Sequence, residues 1–234
     1  MTLTKYGMRE WGLASIAALA LVIAAIWMFF IQWMITAGII LAVAVIMWIG
    51  IAGFFRSPKR SIPKEPNLIL SPADGTVKDI EEVEFNMEPF TGRALRVGIF
   101  LSVFNVHLNR APAQWLVTGK LYREGRYLDA RNPQCARENE AMTLSGTATV
   151  ENHLFPMAVR QISGAIARRI VCPVQPGEPI PRGGVYGMIK FGSRTELYLP
   201  VSTDFKLNVK IGDKVKAGSS VIAVFKPSDG ESLS

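Results

Sequence analysis

Gly192-Ser193, flanked by Phe191 and Arg194, sets a hydroxyl directly after a glycine carbonyl, and such a pair can break its own peptide bond. The Ser193 hydroxyl attacks that carbonyl if a base takes its proton, and a histidine oriented by a carboxylate is the usual way to arrange this. The chain has two histidines. His107 follows the apolar run Val97–Leu101 within Phe104-Asn105-Val106-His107-Leu108-Asn109-Arg110, at the end of a predicted core strand where a site can be held rigidly. His153, in Glu151-Asn152-His153, reads as a solvated loop residue. The candidate carboxylate is Asp74 in Ser71-Pro72-Ala73-Asp74-Gly75. Asp-Gly is also a common hairpin turn, so a purely structural role would explain it equally. Three residues so far apart can cooperate only if the fold brings them together.

The elements that would position them are mostly strands. Short runs rich in branched and aromatic residues, bounded by Gly, Pro or Asp, predict strands at Leu68–Leu70, Gly75–Glu84, Ala94–Ser102, Leu116–Tyr122, Ala141–Val150, Thr195–Pro200 and Val221–Phe225. Leu154–Val171 fits a strand pair or a helix, with Gly164 weakening the helix. The expected class is α+β, dominated by antiparallel sheet. Val209–Ile222, with its Gly-Asp and Ala-Gly turns, looks like the elements of lipoyl and biotinyl carrier domains, though without a lysine in the expected hairpin. That pattern supports a different class of function, a non-catalytic membrane-anchored carrier or adaptor.

Ahead of this domain, Gly12 to Phe55 contains no charged residue and only Ser15, Gln32 and Thr36 as polar side chains. The run is about twice the ~20 residues that one membrane-spanning helix needs. It predicts a hairpin of two helices, roughly Leu13–Ile31 and Trp33–Phe55, turning near Gln32 and Thr36-Ala37-Gly38. Lys5 and Arg9 before it, with Arg56, Lys59 and Arg60 after it, place both ends in the cytoplasm by the positive-inside rule, with the anchor in the cell (inner) membrane. Residues 1–56 thus read as anchor, 57–66 as a proline-interrupted linker and 67–234 as the globular domain.

Charge and cysteine content narrow the field further. The chain carries 26 basic and 19 acidic residues; setting aside Lys5, Arg9 and Glu10 leaves 24 against 18, a net +6 on the soluble part. A tethered basic domain is drawn to anionic headgroups. Nucleic acid is disfavoured as a partner because the basic residues are scattered and form no recognisable binding motif. Two cysteines, Cys135 and Cys172, give no disulfide framework and suit a reducing compartment.

Taken in order, Ser71-Pro72-Ala73-Asp74-Gly75, Asn105-Val106-His107-Leu108-Asn109-Arg110, Glu138-Asn139-Glu140, Gln161-Ile162-Ser163-Gly164, Ala167-Arg168-Arg169-Ile170-Val171 and Phe191-Gly192-Ser193 make the chain resemble the phosphatidylserine decarboxylases, in particular their short membrane-anchored, archaetidylserine-decarboxylase-like branch. The resemblance implies a proenzyme in which Asp74, His107 and Ser193 act on the chain's own backbone. An N-to-O acyl shift at Gly192 and an elimination would leave a β chain ending at Gly192 and an α chain beginning with a pyruvoyl group derived from Ser193. That group would form a Schiff base with the amine of the serine headgroup and act as electron sink for decarboxylation to phosphatidylethanolamine. The resemblance implies no metal and no pyridoxal phosphate, phosphatidylserine (or archaetidylserine) as substrate, and leaves a homodimer open. Longer members carry a second histidine where this chain has Phe104, so another group or water would serve the decarboxylation step. Phe104, Arg168 and Arg194 are the candidate substrate contacts; for Arg194 a solvated side chain beside the site is the competing expectation. Cleavage for maturation alone is a further alternative, since a Gly-Ser site names no substrate.

Overall fold

The computed structural model describes residues 2–132, 134–165, 169–190 and 192–227, and the chain divides into two units, residues 1–59 and 60–234.

In the first unit, helix α1 (Met8–Phe30) and helix α2 (Met34–Phe54) form a hairpin. Each is long and apolar enough to cross a membrane. The turn falls at Ile31–Trp33, where Gln32 adopts φ 64°, while Thr36–Gly38 lies within α2. Ala14, Ala18 and Ala25 on one helix and Ala37 and Ala44 on the other are buried, because small side chains let the two backbones approach closely. Large apolar side chains such as Ile16, Phe30, Ile35 and Ile46 point outward. A bond from Trp48 Nε1 to Ser15 Oγ (3.2 Å) crosses the pair.

The second unit is built from strands β1 (Leu68–Leu70), β2 (Gly75–Met87), β3 (Phe90–Leu101), β4 (Leu108–Arg110), β5 (Gln114–Arg123), β6 (Ala141–Val150), β7 (His153–Ile162), β8 (Arg169–Val171), β9 (Pro179–Ile180), β10 (Val185–Lys190), β11 (Ser193–Pro200), β12 (Phe205–Leu207), β13 (Lys214–Val215) and β14 (Val221–Phe225), with one short helix, α3 (Cys135–Glu138). An eight-stranded antiparallel sheet runs β9-β5-β6-β7-β11-β3-β2-β13. Two three-stranded sheets, β8-β10-β4 and β12-β14-β1, accompany it. The chain is therefore α+β, with two apolar helices followed by a mostly antiparallel β domain.

Alternation on β11 decides what each face of the large sheet does. Ser193, Thr195, Leu197 and Leu199 share one face, opposite Leu101, Ile99, Val97 and Leu95 of β3. That face meets Ile69, Phe205, Ile222 and Phe225 from the β12-β14-β1 sheet in the main core. Arg194, Glu196 and Tyr198 share the other face, which is also buried.

Two expectations change here. The Asp74-Gly75 turn does not close a hairpin, because β1 and β2 belong to different sheets. Gly75 is instead required by close packing, since a Cβ there would overlap the Phe100 carbonyl oxygen. Within Leu154–Val171 strand wins over helix, because the first half is hydrogen-bonded between β6 and β11.

Candidate active site

The candidate residues gather at one end of the large sheet. Ser193 opens β11 opposite Leu101, the last residue of β3. Asp74 immediately precedes β2, whose Thr76 faces Phe100. His107 lies just past the β3 terminus and is fully buried. Ile189 N–H donates to its backbone carbonyl, fixing it to β10 (3.2 Å).

The imidazole is oriented by backbone. His107 Nδ1 lies 3.0 Å from the Asn105 carbonyl oxygen, and Gly192 N–H donates to Nε2 at 3.2 Å. Both contacts are satisfied by the tautomer with its hydrogen on Nδ1, which leaves the Nε2 lone pair at the residue before Ser193. Asn105 is itself pinned, its Oδ1 accepting from Ser102 N and Oγ (2.9 and 2.8 Å).

Ser193 is fully buried, and its hydroxyl has no hydrogen-bond partner among the described residues. Such an orphan is unfavourable in a structural role and suits a group kept for reaction. Gly192 adopts φ 54°, a left-handed conformation that favours glycine. Its carbonyl is closely covered, because a Cβ on Gly164 would overlap the Gly192 oxygen. Gly164→Ala should therefore displace the scissile carbonyl, destabilising the protein by about 1–3 kcal/mol through overpacking and slowing cleavage on the order of 100-fold through misplacement of the reacting atoms. Denaturant titration and the time course of chain cutting would measure the two effects separately.

Asp74 is buried with its carboxylate gripped by Arg60 Nη2 (2.8 and 2.7 Å) and by the Ala217 N–H (2.8 Å). Three residues that the sequence reading assigned no role support the site from below. Asn109 Nδ2 donates to Thr195 Oγ1 (3.0 Å) and to the Pro72 carbonyl (3.3 Å), and Gln161 Nε2 donates to Asn109 Oδ1 (2.8 Å). This buried network ties β4, β7 and β11 to the Asp74 turn. Asn109 and Gln161 sit inside the motifs quoted above, but only strand register makes them neighbours of each other and of Thr195.

Beside Gly192 opens a cavity of about 360 Å³, lined by Phe100, Ser102, Val103, Asp129, Ala130, Arg131, Ala165 and Gly192. Its volume is in the range for a small-molecule site. Asn139 holds one wall by bonding Leu128 N and O (both 2.8 Å) and the Ser163 carbonyl (2.8 Å). The Asp129 carboxyl is lowered to about 2, chiefly by its hydrogen bond with Arg131 at the cavity rim.

The substrate-contact candidates fare differently. Phe104 stands 83 % exposed in the turn after β3. Arg168 lies outside the described residues. Arg194 is not solvated, contrary to that expectation: its side chain is 7 % exposed and paired with Asp79 (2.7 Å) and Glu196 (2.9 Å). Burial opposes the charge on Arg194, but the bond to Asp79 and the charge of Glu196 outweigh it and raise the guanidinium pKa. Arg194 points to the face opposite Ser193, because adjacent strand residues alternate. His153 is exposed, as expected, but opens β7 rather than lying in a loop, with its ring 5.2 Å from that of Phe225. Both thiols are pushed up to about 11 by burial, which makes them poor nucleophiles.

A family model described as phosphatidylserine decarboxylase matches residues 50–223. The phosphatidylserine decarboxylase proenzyme of Rhodopirellula baltica is 36% identical over 222 residues, covering 95% of this chain and 88% of that protein. Proenzymes of the same name from Desulfotalea psychrophila and Carboxydothermus hydrogenoformans are 42% and 41% identical, over 72% and 77% of this chain and 76% and 82% of their own lengths.

Proposed function

This chain belongs to the phosphatidylserine decarboxylase family and is a decarboxylase, and from that premise we propose that it is made as a self-cleaving proenzyme that converts phosphatidylserine to phosphatidylethanolamine and carbon dioxide. The observation that carries the self-cleavage reading is the buried, unpartnered Ser193 hydroxyl next to the Gly192 carbonyl, with His107 Nε2 held by the N–H of Gly192, one peptide earlier.

In this reading His107 Nε2 exchanges the Gly192 N–H for the Ser193 hydroxyl and takes its proton, while the Asn105 carbonyl keeps the other ring nitrogen protonated. Ser193 Oγ attacks the Gly192 carbonyl carbon, and the amide bond gives way to an ester. Loss of the ester by β-elimination leaves the Gly192 carboxylate on the β chain and a dehydroalanine at 193, whose imine tautomer takes up water and releases ammonia to give the pyruvoyl group. Asp74, locked by Arg60 and Ala217, serves by holding the turn that Asn109 and Arg110 bond to at Pro72.

The residues around position 193 fit such a group. The Ser193 side chain is buried without a partner to lose, and Gly164 leaves room for the neighbouring Gly192 carbonyl oxygen. Once formed, the group supplies an electrophilic carbonyl that draws electrons from the carbon losing carbon dioxide. The cavity beside Gly192 receives the headgroup, and its apolar walls at Phe100, Val103, Ala130 and Ala165 limit water around the reacting atoms. The two-helix anchor keeps the domain at the cytoplasmic face of the cell membrane, where the substrate lies. The Lys214–Val215 strand, paired with Gly75–Thr76, supports reading Val209–Ile222 as a lipoyl-like structural element that frames the Asp74 turn rather than a carrier site.

Intact mass spectrometry of the detergent-solubilised wild type tests this reading. Two chains separated between Gly192 and Ser193, the second with a blocked N-terminus, are expected. A single uncut chain that still decarboxylates phosphatidylserine would overturn it.

A further inference from the structure

The ends of the globular unit differ in chemistry. Among the described residues, its three exposed large aromatic side chains are Phe104, Tyr122 and Tyr127, at 83 %, 50 % and 43 % exposure. All three lie at the end that carries the Gly192–Ser193 bond. Phe104 follows β3, and Tyr122 lies near the end of β5 across from Met142, with its hydroxyl donating to Glu140. Tyr127 follows Arg126, which bridges to Asn139 just before β6. Val103, next to Phe104, lines the cavity, as does the exposed Arg131.

The opposite end carries the β2–β3 hairpin, with Glu82, Glu84 and Glu88 exposed.

We propose that this end of the sheet docks on an anionic phospholipid bilayer, with Val103 and Phe104 entering the boundary between headgroups and acyl chains. Tyr122 and Tyr127 lie at headgroup level, where aromatic rings with a polar tip are favoured. Arg131 meets lipid phosphates, and the acidic hairpin is held away from the negative surface. The cavity mouth then opens onto the membrane, so that a serine headgroup enters while its acyl chains stay in the bilayer. This docking rests on the reading of a membrane lipid as substrate, but its test does not depend on turnover.

The test uses the full chain in nanodiscs of phosphatidylglycerol and phosphatidylcholine, with Phe104→p-benzoylphenylalanine as probe and Leu154→p-benzoylphenylalanine as control. Leu154 is 70 % exposed and sits at the other end of β7, eight residues or about 26 Å from Ile162, which pairs with Arg194. After irradiation, intact mass should show lipid adducts at position 104 at least about tenfold above those at 154. Equal yields, no adduct at 104, or cross-linking of 104 to a second copy of the chain would overturn the proposal. The same spectra report cutting at Gly192. An uncut chain that carries the adduct keeps the docking and sinks the self-cleavage reading.

Discussion

Ser193→Ala is expected to leave one uncut chain of 25.7 kDa with unchanged or slightly raised stability. Loss of the oxygen removes the nucleophile, so no slow residual route through residue 193 should remain, and decarboxylation should vanish with it. The stability forecast follows from burial: the hydroxyl has no partner, so its removal relieves an unsatisfied group and breaks no bond. Gel mobility, intact mass and denaturant titration on one preparation would check both halves. A cut Ser193→Ala chain would sink the mechanism. His107→Ala provides a graded companion, because the serine stays in place and only its base is lost; cutting should slow by about 10²–10⁴.

Arg194→Met is expected to destabilise the protein by about 3–5 kcal/mol, since it strands Asp79 and Glu196 without their buried cation. The melting temperature should fall on the order of 10 °C. Glu196 is fully buried, with Arg96 (3.8 Å) and Arg160 (3.7 Å) as more distant cations and Tyr198 donating to it at 2.5 Å. The effect carries a pH signature. Burial raises the Asp79 carboxyl, but Arg194 and then Arg96 outweigh it and hold it below its ordinary 3.8. A lowered carboxyl contributes stability that is complete above about pH 5 and is lost as acid titrates the folded state. The gap between wild type and Arg194→Met should therefore be full at neutral pH and shrink below about pH 4. A Met variant within about 0.5 kcal/mol of wild type at pH 7 would show that the pairs contribute little. If Arg194→Met does not fold, Arg194→Lys, which keeps one charge but loses the two-pronged grip, should fold with a smaller loss.

Much of this molecule was legible before any coordinates. The uncharged run from Gly12 to Phe55 pointed to two helices, and the structure has both, each long and apolar enough to cross a membrane. Alternating and branched runs located β1, β6 and β14 to the residue and the long strands to within a few. The Gly-Ser pair and the buried His107 stood out by residue type. The motifs around them named the family, which the related proenzymes established.

Other features depended on which strands became neighbours. Arg194 read as a surface residue because β11 looks like an ordinary polar-apolar alternation. It is buried because β11 is central, flanked by β7 and β3 with both faces covered, and its partner Asp79 lies far away in sequence on β2. Asp74 showed its chemistry but not its partners, Arg60 and the Ala217 N–H, which arrive from opposite sides in sequence. That a backbone carbonyl, Asn105, orients His107 was invisible in residue types, since every residue carries one. Sequence determined which groups and local elements exist, because side-chain chemistry and backbone preference are properties of short segments. Tertiary structure alone decided which groups touch, because register and sheet order set distances between segments that no local pattern encodes.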